Sequence, residues 1–303
     1  MQIIENDFSI QEESIVFIGN FDGVHRGHMS LVKSAIEIKK ENKNLVTVAL
    51  SFFPHSKAYF QNKNFQTIFT LEEKAIAFKR LGVDYLKICN FNKENQNLLP
   101  YDFISKYIVQ QLKAKYVVVG SGFLFGRDRA GNIDVLIEIC KSFNIKVISV
   151  AHLPSDNENK ISSSDIREFI CSGDIEKANN LLGEPYFAYG KVVSGKKLGR
   201  TIGFPTANID VSDYKLLPPK GVYKTVTTIE GKKYNSITNV GINPTFNEEK
   251  QVIETHLFDF DEDIYNKEII VDFFEYIRPE KKFNNIEELK NQIITDTKKV
   301  KYI

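Results

Sequence analysis

"IVFIGNFDGVHRGHMSLVKSAIEI" occupies residues 15–38 and sets three kinds of local structure end to end. Ile15–Ile18 is an unbroken apolar run, the pattern of a strand covered on both faces. Gly19, Gly23 and Gly27 punctuate the polar segment that follows, and Leu31, Ala35 and Ile38 then return at the spacing of one helical face. The spacing predicts a helix from about His28. Strand, glycine-bearing loop and helix in that order open a doubly wound α/β unit, whose ligands bind beyond the carboxyl ends of its strands. The glycines let backbone approach a ligand closely, and a helix start offers unpaired N–H groups at the positive end of its dipole. His25 and His28, two of only five histidines in the chain, fall where imidazoles could donate to phosphate oxygens. The same residues also fit a simple turn, or half of a metal site. No acidic or cysteine cluster completes a metal shell, and no Walker lysine motif is present.

Beyond Ile38 the same alternation continues through the first half. Apolar runs at Leu45–Phe52, Tyr85–Cys89, Tyr116–Val119 and Lys146–Val150 predict further buried strands. Between them Phe103, Tyr107 and Ile108 share a helical face, as do Leu136, Cys140 and Phe143. "TLEE" at 70–73 is a capping box, with Thr70 as N-cap and Glu73 three residues on. The implied architecture is a doubly wound parallel sheet.

From Ser164 the pattern changes. "SDIREFICSGDIEKANNLLGEP" predicts two short helices ended by Gly183 and Pro185. Closely spaced strands follow at Ala188–Val193, Val222–Glu230, Tyr234–Val240, Val252–Phe258 and Glu268–Ile277, with a last helix from near Asn285. This is the pattern of a small antiparallel β-barrel domain closed by a C-terminal helix. The expected domains are 1–183 and 184–303, consistent with a chain of 303 residues, long for a single core.

Composition narrows the class. Hydrophobic content of 42% and charged content of 26% describe an ordinary globular protein. With 40 basic and 39 acidic residues and no charge block, nucleic-acid binding is not expected as the main function. Cys89, Cys140 and Cys171 are far apart and form no Cys-x-x-Cys, as for reduced thiols in a cytoplasmic protein. The amino-terminal residues carry acids early, and no apolar stretch approaches membrane-spanning length, so neither a signal peptide nor a membrane partner is expected.

Two further segments carry chemistry. In "ISSSDIR" at 161–167 a serine cluster opens a helix, where serines usually cap, but Arg167 follows against the helix dipole. An anion held by the hydroxyls, the amides and Arg167 would remove that conflict. In "GKKLGRTIGFPTANI" at 195–209 the Thr206 hydroxyl and the Asn208 carbonyl are hard oxygen donors suited to Mg²⁺. Lys196, Lys197 and Arg200 are candidate phosphate neighbours; a solvated basic turn is the plainer reading of the same residues.

The pair "GNFDGVHRGH" and "ISSSDIR" resembles the HxGH-type nucleotidyltransferases, specifically the adenylyltransferase domain of bacterial FAD synthetases. The resemblance implies that His25 and His28 bind the ATP phosphates and, with Arg167, absorb charge as the α-phosphorus is attacked. It implies that Gly19, Asn20, Phe21, Asp22, Gly27, Ser162, Ser163 and Ser164 hold the nucleotide. Phe52, Pro54, His55, Phe123, Phe125 and Arg127 would line the flavin site. The second half is similar to riboflavin kinases, through the GxxxGRxxGFPTAN pattern and through "GVYKTVTT", "TNVGINPTF" and "IETHLFDFDEDIYNKE" in that order. Carried over by position, Gly195, Lys196, Gly199, Arg200, Thr206 and Asn208 would hold ATP, the last two with Mg²⁺, while Gly203 and Arg278 would lie by the flavin. Glu254 would take the proton from the riboflavin 5′-hydroxyl. His256 shares its face if the segment is a strand, and is read as structural.

The function implied is phosphorylation of riboflavin by ATP to FMN, then adenylylation of FMN to FAD and pyrophosphate. Competing readings are a riboflavin kinase whose first half is weak or inactive, and a non-catalytic flavin carrier or sensor. The sequence departs from the family pattern at three places: Gly122 stands in "GSGFLFG" where a polar residue is common, Ser56 where a second proline is usual, and Asn266 where a glycine is common.

Overall fold

A computed structural model describes residues 1–5, 8–61, 65–151, 161–195, 203–244 and 249–300. Two compact units divide them: 1–67 with 74–162, and 68–73 with 163–303.

The first unit contains a parallel sheet of β1 (Gln2–Glu5), β2 (Ser14–Ile18), β3 (Val46–Phe53), β4 (Tyr85–Asn90), β5 (Ala114–Gly120) and β6 (Lys146–Val150). The strand order is β1-β4-β3-β2-β5-β6, so the chain steps outward from β2 to β4 and then crosses to β5 on the other side of β2. That reversal is a topological switch point, and it puts the crevice beyond the ends of β2 and β5. Every residue of β2 is buried, as its unbroken apolar run requires. Helices α1 (Arg26–Glu41), α2 (Ser56–Gln61), α3 (Leu71–Arg80), α4 (Pro100–Phe103) with its π-helical continuation Ile104–Gln111, and α5 (Ile133–Ser142) connect the strands. Leu31, Val32 and Ala35 are the buried face of α1. The helix begins at Arg26, two residues before the start its spacing predicts, with His25 as N-cap. β1, which pairs with β4 in parallel register, is not among the predicted strands: four residues carry too little apolar signal.

In the second unit α6 (Ser163–Ser172) and α7 (Ile175–Leu182) precede the barrel. Asp174 caps α7 by accepting from the Lys177 amide, and Gly183 ends it in the left-handed region. The strands are β7 (Phe187–Val193), β8 (Ala207–Asp210), β9 (Gly221–Ile229), β10 (Lys232–Pro244), β11 (Glu249–Leu257) and β12 (Glu268–Arg278), closed in the order β10-β11-β8-β7-β12-β9. β8 is the strand that the sequence does not announce. α8 (Ile286–Val300) follows, its start fixed by Asn285 Oδ1, which accepts from the Glu288 amide at 2.8 Å. Part of the barrel interior is polar yet satisfied. Thr225, Thr227, Ser236, Thr238 and Thr255 are fully buried, and their hydroxyls bond one another at 2.8–3.3 Å. Asn266 has φ +64°, the left-handed conformation in which asparagine replaces glycine at small cost.

Candidate active sites

The loop after β2 is tightly held and strained. Phe21 and Val24 adopt positive φ, +49° and +45°, costly for an aromatic and more so for a β-branched residue. The burial of both side chains offsets that cost. The ring of Phe21 packs edge-on against Phe17, Phe78 and His28, so any part it plays in nucleotide binding falls to its backbone. His25 and His28 lie ring on ring, 3.7 Å between centroids and 21° apart in plane. Gly27 makes room for this stack: a Cβ there would come within 3.1 Å of the His25 ring. α1 carries no acidic side chain in its first turn, so the helix itself does not offset the positive end of its dipole.

Beside the loop, at the carboxyl ends of β2–β5, opens a cavity of about 750 Å³. Aromatic rings line it (Phe52, Phe60, Phe91, Phe103, Phe123 and Phe125), and Asn20, Ser56, Arg127 and Arg129 bring polar groups. The loop carrying the arginines is pinned by paired backbone bonds between Phe125 and Gly131 at 3.0 and 2.9 Å. Asn20 is clamped. Its carbonyl accepts from Ser51 Oγ at 3.1 Å and Lys74 Nζ at 2.8 Å, and its amide donates to Ser56 Oγ at 3.1 Å. The departure at Ser56 thus supplies a hydroxyl where a proline has none. Lys74 is buried, and desolvation lowers its pKa to about 8 against the opposing pull of Asp22. Of the other residues expected here, His55 is buried and stacks on Phe65 at 5.0 Å, and neither it nor Pro54 is among the lining residues. Ser162 precedes α6, which Ser163 and Ser164 open. Arg167 is the fifth residue of that helix, past its first turn, where the dipole opposes a cation less than the sequence reading assumed, and it groups with the second unit.

In the barrel, strand register assembles the second constellation. Glu254 on β11 is paired with Asn208 on β8 and, across its other edge, with Asn239 on β10. Residues directly opposite in an antiparallel pair share a face, so one carboxylate stands between two amides. The Asn239 amide donates to Glu280 at 3.0 Å. Thr206 lies just before β8. Gly195 explains its own identity: a Cβ there would fall 2.1 Å from Asn208 Nδ2. Glu254, Thr206, His256, Asn239 and Arg278 line one cavity of about 520 Å³, with Phe204, Phe283 and Ile293 as apolar wall. Arg278 is fixed there by Asp296 of α8, which accepts from Nε at 2.8 Å and Nη2 at 2.7 Å. A neighbouring cavity of about 280 Å³ is bounded by Pro205, Thr206, Ala207 and the turn Phe260–Tyr265. His256 Nδ1 lies 2.8 Å from the Pro205 carbonyl, and burial lowers the imidazole pKa. Gly203 has φ +86° and is not among the lining residues. Lys196, Gly199 and Arg200 lie outside the described residues.

Comparison with known proteins decides the family. A family model described as FAD synthetase matches residues 7–165, and one described as riboflavin kinase matches 182–303. A Bacillus subtilis (strain 168) protein described as bifunctional riboflavin kinase/FMN adenylyltransferase is 37% identical over 94% of this chain and 91% of its own. The chain belongs to that bifunctional family. An Escherichia coli (strain K12) member of the same description is 34% identical over 94% of this chain and 91% of its own. A crystal structure from Streptococcus pneumoniae described as a macrolide-efflux protein shares the fold, with TM-score 0.86, 31% identity and 99% of both chains covered. Among the described residues of this family member no helix is long and apolar enough to cross a membrane.

Sequence reasoning missed Lys74, Asn239, Glu280 and Asp296. Lys74 and Asp296 sit in helices where charge usually means a solvated face, and only burial distinguishes them. Asn239 stands in "TNVG", an unremarked polar position of a strand, and only its pairing with Glu254 reveals it.

Proposed function

We propose that the family's two reactions take place at two of the cavities described, phosphorylation of riboflavin at that of about 520 Å³ in the barrel (184–303) and adenylylation of FMN at that of about 750 Å³ in the first half (1–183). The observation that carries the kinase assignment is the placing of Glu254 between Asn208 and Asn239 on a cavity wall. There the carboxylate accepts the proton of the riboflavin 5′-hydroxyl while that oxygen attacks the γ-phosphorus of ATP and ADP leaves. Thr206 and Asn208 offer oxygen donors fit for Mg²⁺, and Gly195 keeps a cradle open around the Asn208 amide that a Cβ would fill. When bound with ATP, that ion neutralises phosphate charge. Phe204, Phe283 and Arg278 would receive the flavin.

In the first half, the aromatic cavity suits an isoalloxazine ring, and the stacked His25 and His28 beside the start of α1 suit a triphosphate. An FMN phosphate oxygen attacks the α-phosphorus of ATP, the bond to pyrophosphate breaks, and no covalent enzyme intermediate is needed. Positioning and charge stabilisation would supply the rate. A cytoplasmic setting fits the free thiols of Cys89, Cys140 and Cys171.

The test is direct. Purified protein given riboflavin, ATP and Mg²⁺ should form FMN and then FAD, read by separating the flavins. Accumulation of FMN without FAD would favour a kinase with an inactive first half, and tight flavin binding without ATP consumption would favour a carrier.

A further inference from the structure

β8 and β11 are paired only from Ala207–Thr255 to Ile209–Ile253. The ladder therefore fixes Asn208 relative to Glu254 but stops one residue short of Thr206, the other oxygen donor on that segment. Beyond the ladder the next tie between the two chain segments is a side chain. His256 Nδ1 meets the Pro205 carbonyl at 2.8 Å. A carbonyl oxygen only accepts, so this contact places a proton on Nδ1. The ring has little freedom to turn away, since Phe204 and Phe258 pack edge-on against it with centroids at 5.4 and 5.8 Å. His256 follows Glu254 by two residues on the same strand and lines the same cavity.

We propose that His256 is a positioning residue for phosphoryl transfer: its Nδ1–H anchors the Pro205 carbonyl and so holds the Thr206 hydroxyl in place relative to Glu254. The imidazole extends the strand ladder where proline, lacking an N–H, cannot. This role rests on the kinase reading of the barrel and goes beyond it, because it gives His256 work that is neither proton transfer nor substrate contact. It predicts which partner of the reaction is affected. Misplacing the Thr206 hydroxyl weakens the hold on the magnesium-bound nucleotide, whereas on the flavin side Arg278 keeps its own anchor on Asp296.

The experiment uses the full chain and three variants, assayed for FMN formation with riboflavin and Mg-ATP varied in turn. Asparagine puts its amide N–H where Nδ1 stands, glutamine reaches instead toward the Nε2 position, and alanine has no donor. His256→Ala and His256→Gln should raise KM for Mg-ATP, and the calorimetric Kd for Mg-ADP, by about 3- to 10-fold, the scale of one lost hydrogen bond. His256→Asn should remain within about twofold of the wild type, since it restores that bond. KM for riboflavin should rise less than KM for Mg-ATP in alanine and glutamine, and FAD formation from supplied FMN should not change in any of them. The inference is overturned if asparagine is as impaired as alanine, if alanine leaves KM for Mg-ATP unchanged, or if KM for riboflavin rises in parallel. A wild-type protein that forms no FMN would instead remove the kinase reading on which the inference stands.

Discussion

Lys74 is a cation almost wholly withdrawn from water, held behind the loop of His25 and His28 by its bond to the Asn20 carbonyl. Burial costs the charged form more than Asp22 returns, so the group titrates near 8 instead of 10.5. The unfolded chain therefore binds more protons than the native one between those values, and stability from this group rises with pH across the interval. Denaturant midpoints of the wild type and Lys74→Met, compared from about pH 7 to 11, should show the wild type gaining on the variant between about 8 and 10.5 and a constant difference below 8. A difference constant throughout would mean an ordinary lysine. Among single residues the sequence was legible where residue type and spacing coincide, as in the reciprocal cap of Thr70 and Glu73. It was silent on Lys74 because "LEEKAIAF" has the charge pattern of an exposed helix face, and only the tertiary fold withdraws it from solvent.

Among the elements, the capping box of α3 carries more than a helix start. Glu73 Oε2 accepts from the Thr70 amide at 2.9 Å, as the "TLEE" pattern implies, but the carboxylate is fully buried. Its other oxygen, Oε1, accepts from the Tyr189 amide at 2.9 Å, while Lys215 Nζ donates to Oε2 at 2.7 Å. Lys215 is buried too, donating also to the carbonyls of Ile68 and Phe187, with its ammonium 4.3 Å from the centre of the Tyr186 ring. Desolvation raises the Glu73 pKa, with Lys215 and the two amides pulling against it. Removing one partner strands the other as a buried charge. Glu73→Gln should therefore cost about 3–5 kcal/mol in chemical denaturation, and Glu73→Gln with Lys215→Met should cost less than the two single changes summed. Additive losses would show that the two groups do not depend on each other. The inner strands of the sheet were legible because continuous apolar runs have few other uses, whereas at the edges β1 was not, and β6, expected to be buried, has no buried residue. β8 was not legible, since "TANID" mixes small and polar residues whose strand character comes from pairing with β7 and β11.

The chain joins two architectures, a parallel sheet with helices and a closed barrel, and in its family the product of one reaction is the substrate of the other. The order of motifs made this readable from sequence. What the sequence could not supply was the geometry within each site: the stacking of the two imidazoles, the clamp on Asn20, and the flanking of Glu254 by two amides. The clamp and the flanking join residues far apart in the chain, and the stack depends on how the loop turns before α1. If each half carries one reaction, the two chemistries are separable by residue, and one pair of substitutions tests that. The flavins formed from riboflavin, and separately from FMN, would be measured for His28→Ala and Glu254→Gln. His28→Ala should make FMN normally and lose about 10²–10³ in FAD formation, as for one missing charge-stabilising donor. Glu254→Gln should convert FMN to FAD normally and lose about 10²–10⁴ in phosphorylating riboflavin, as for a missing general base. If either folded variant lost both activities together, the assignment of one reaction to each half would be contradicted.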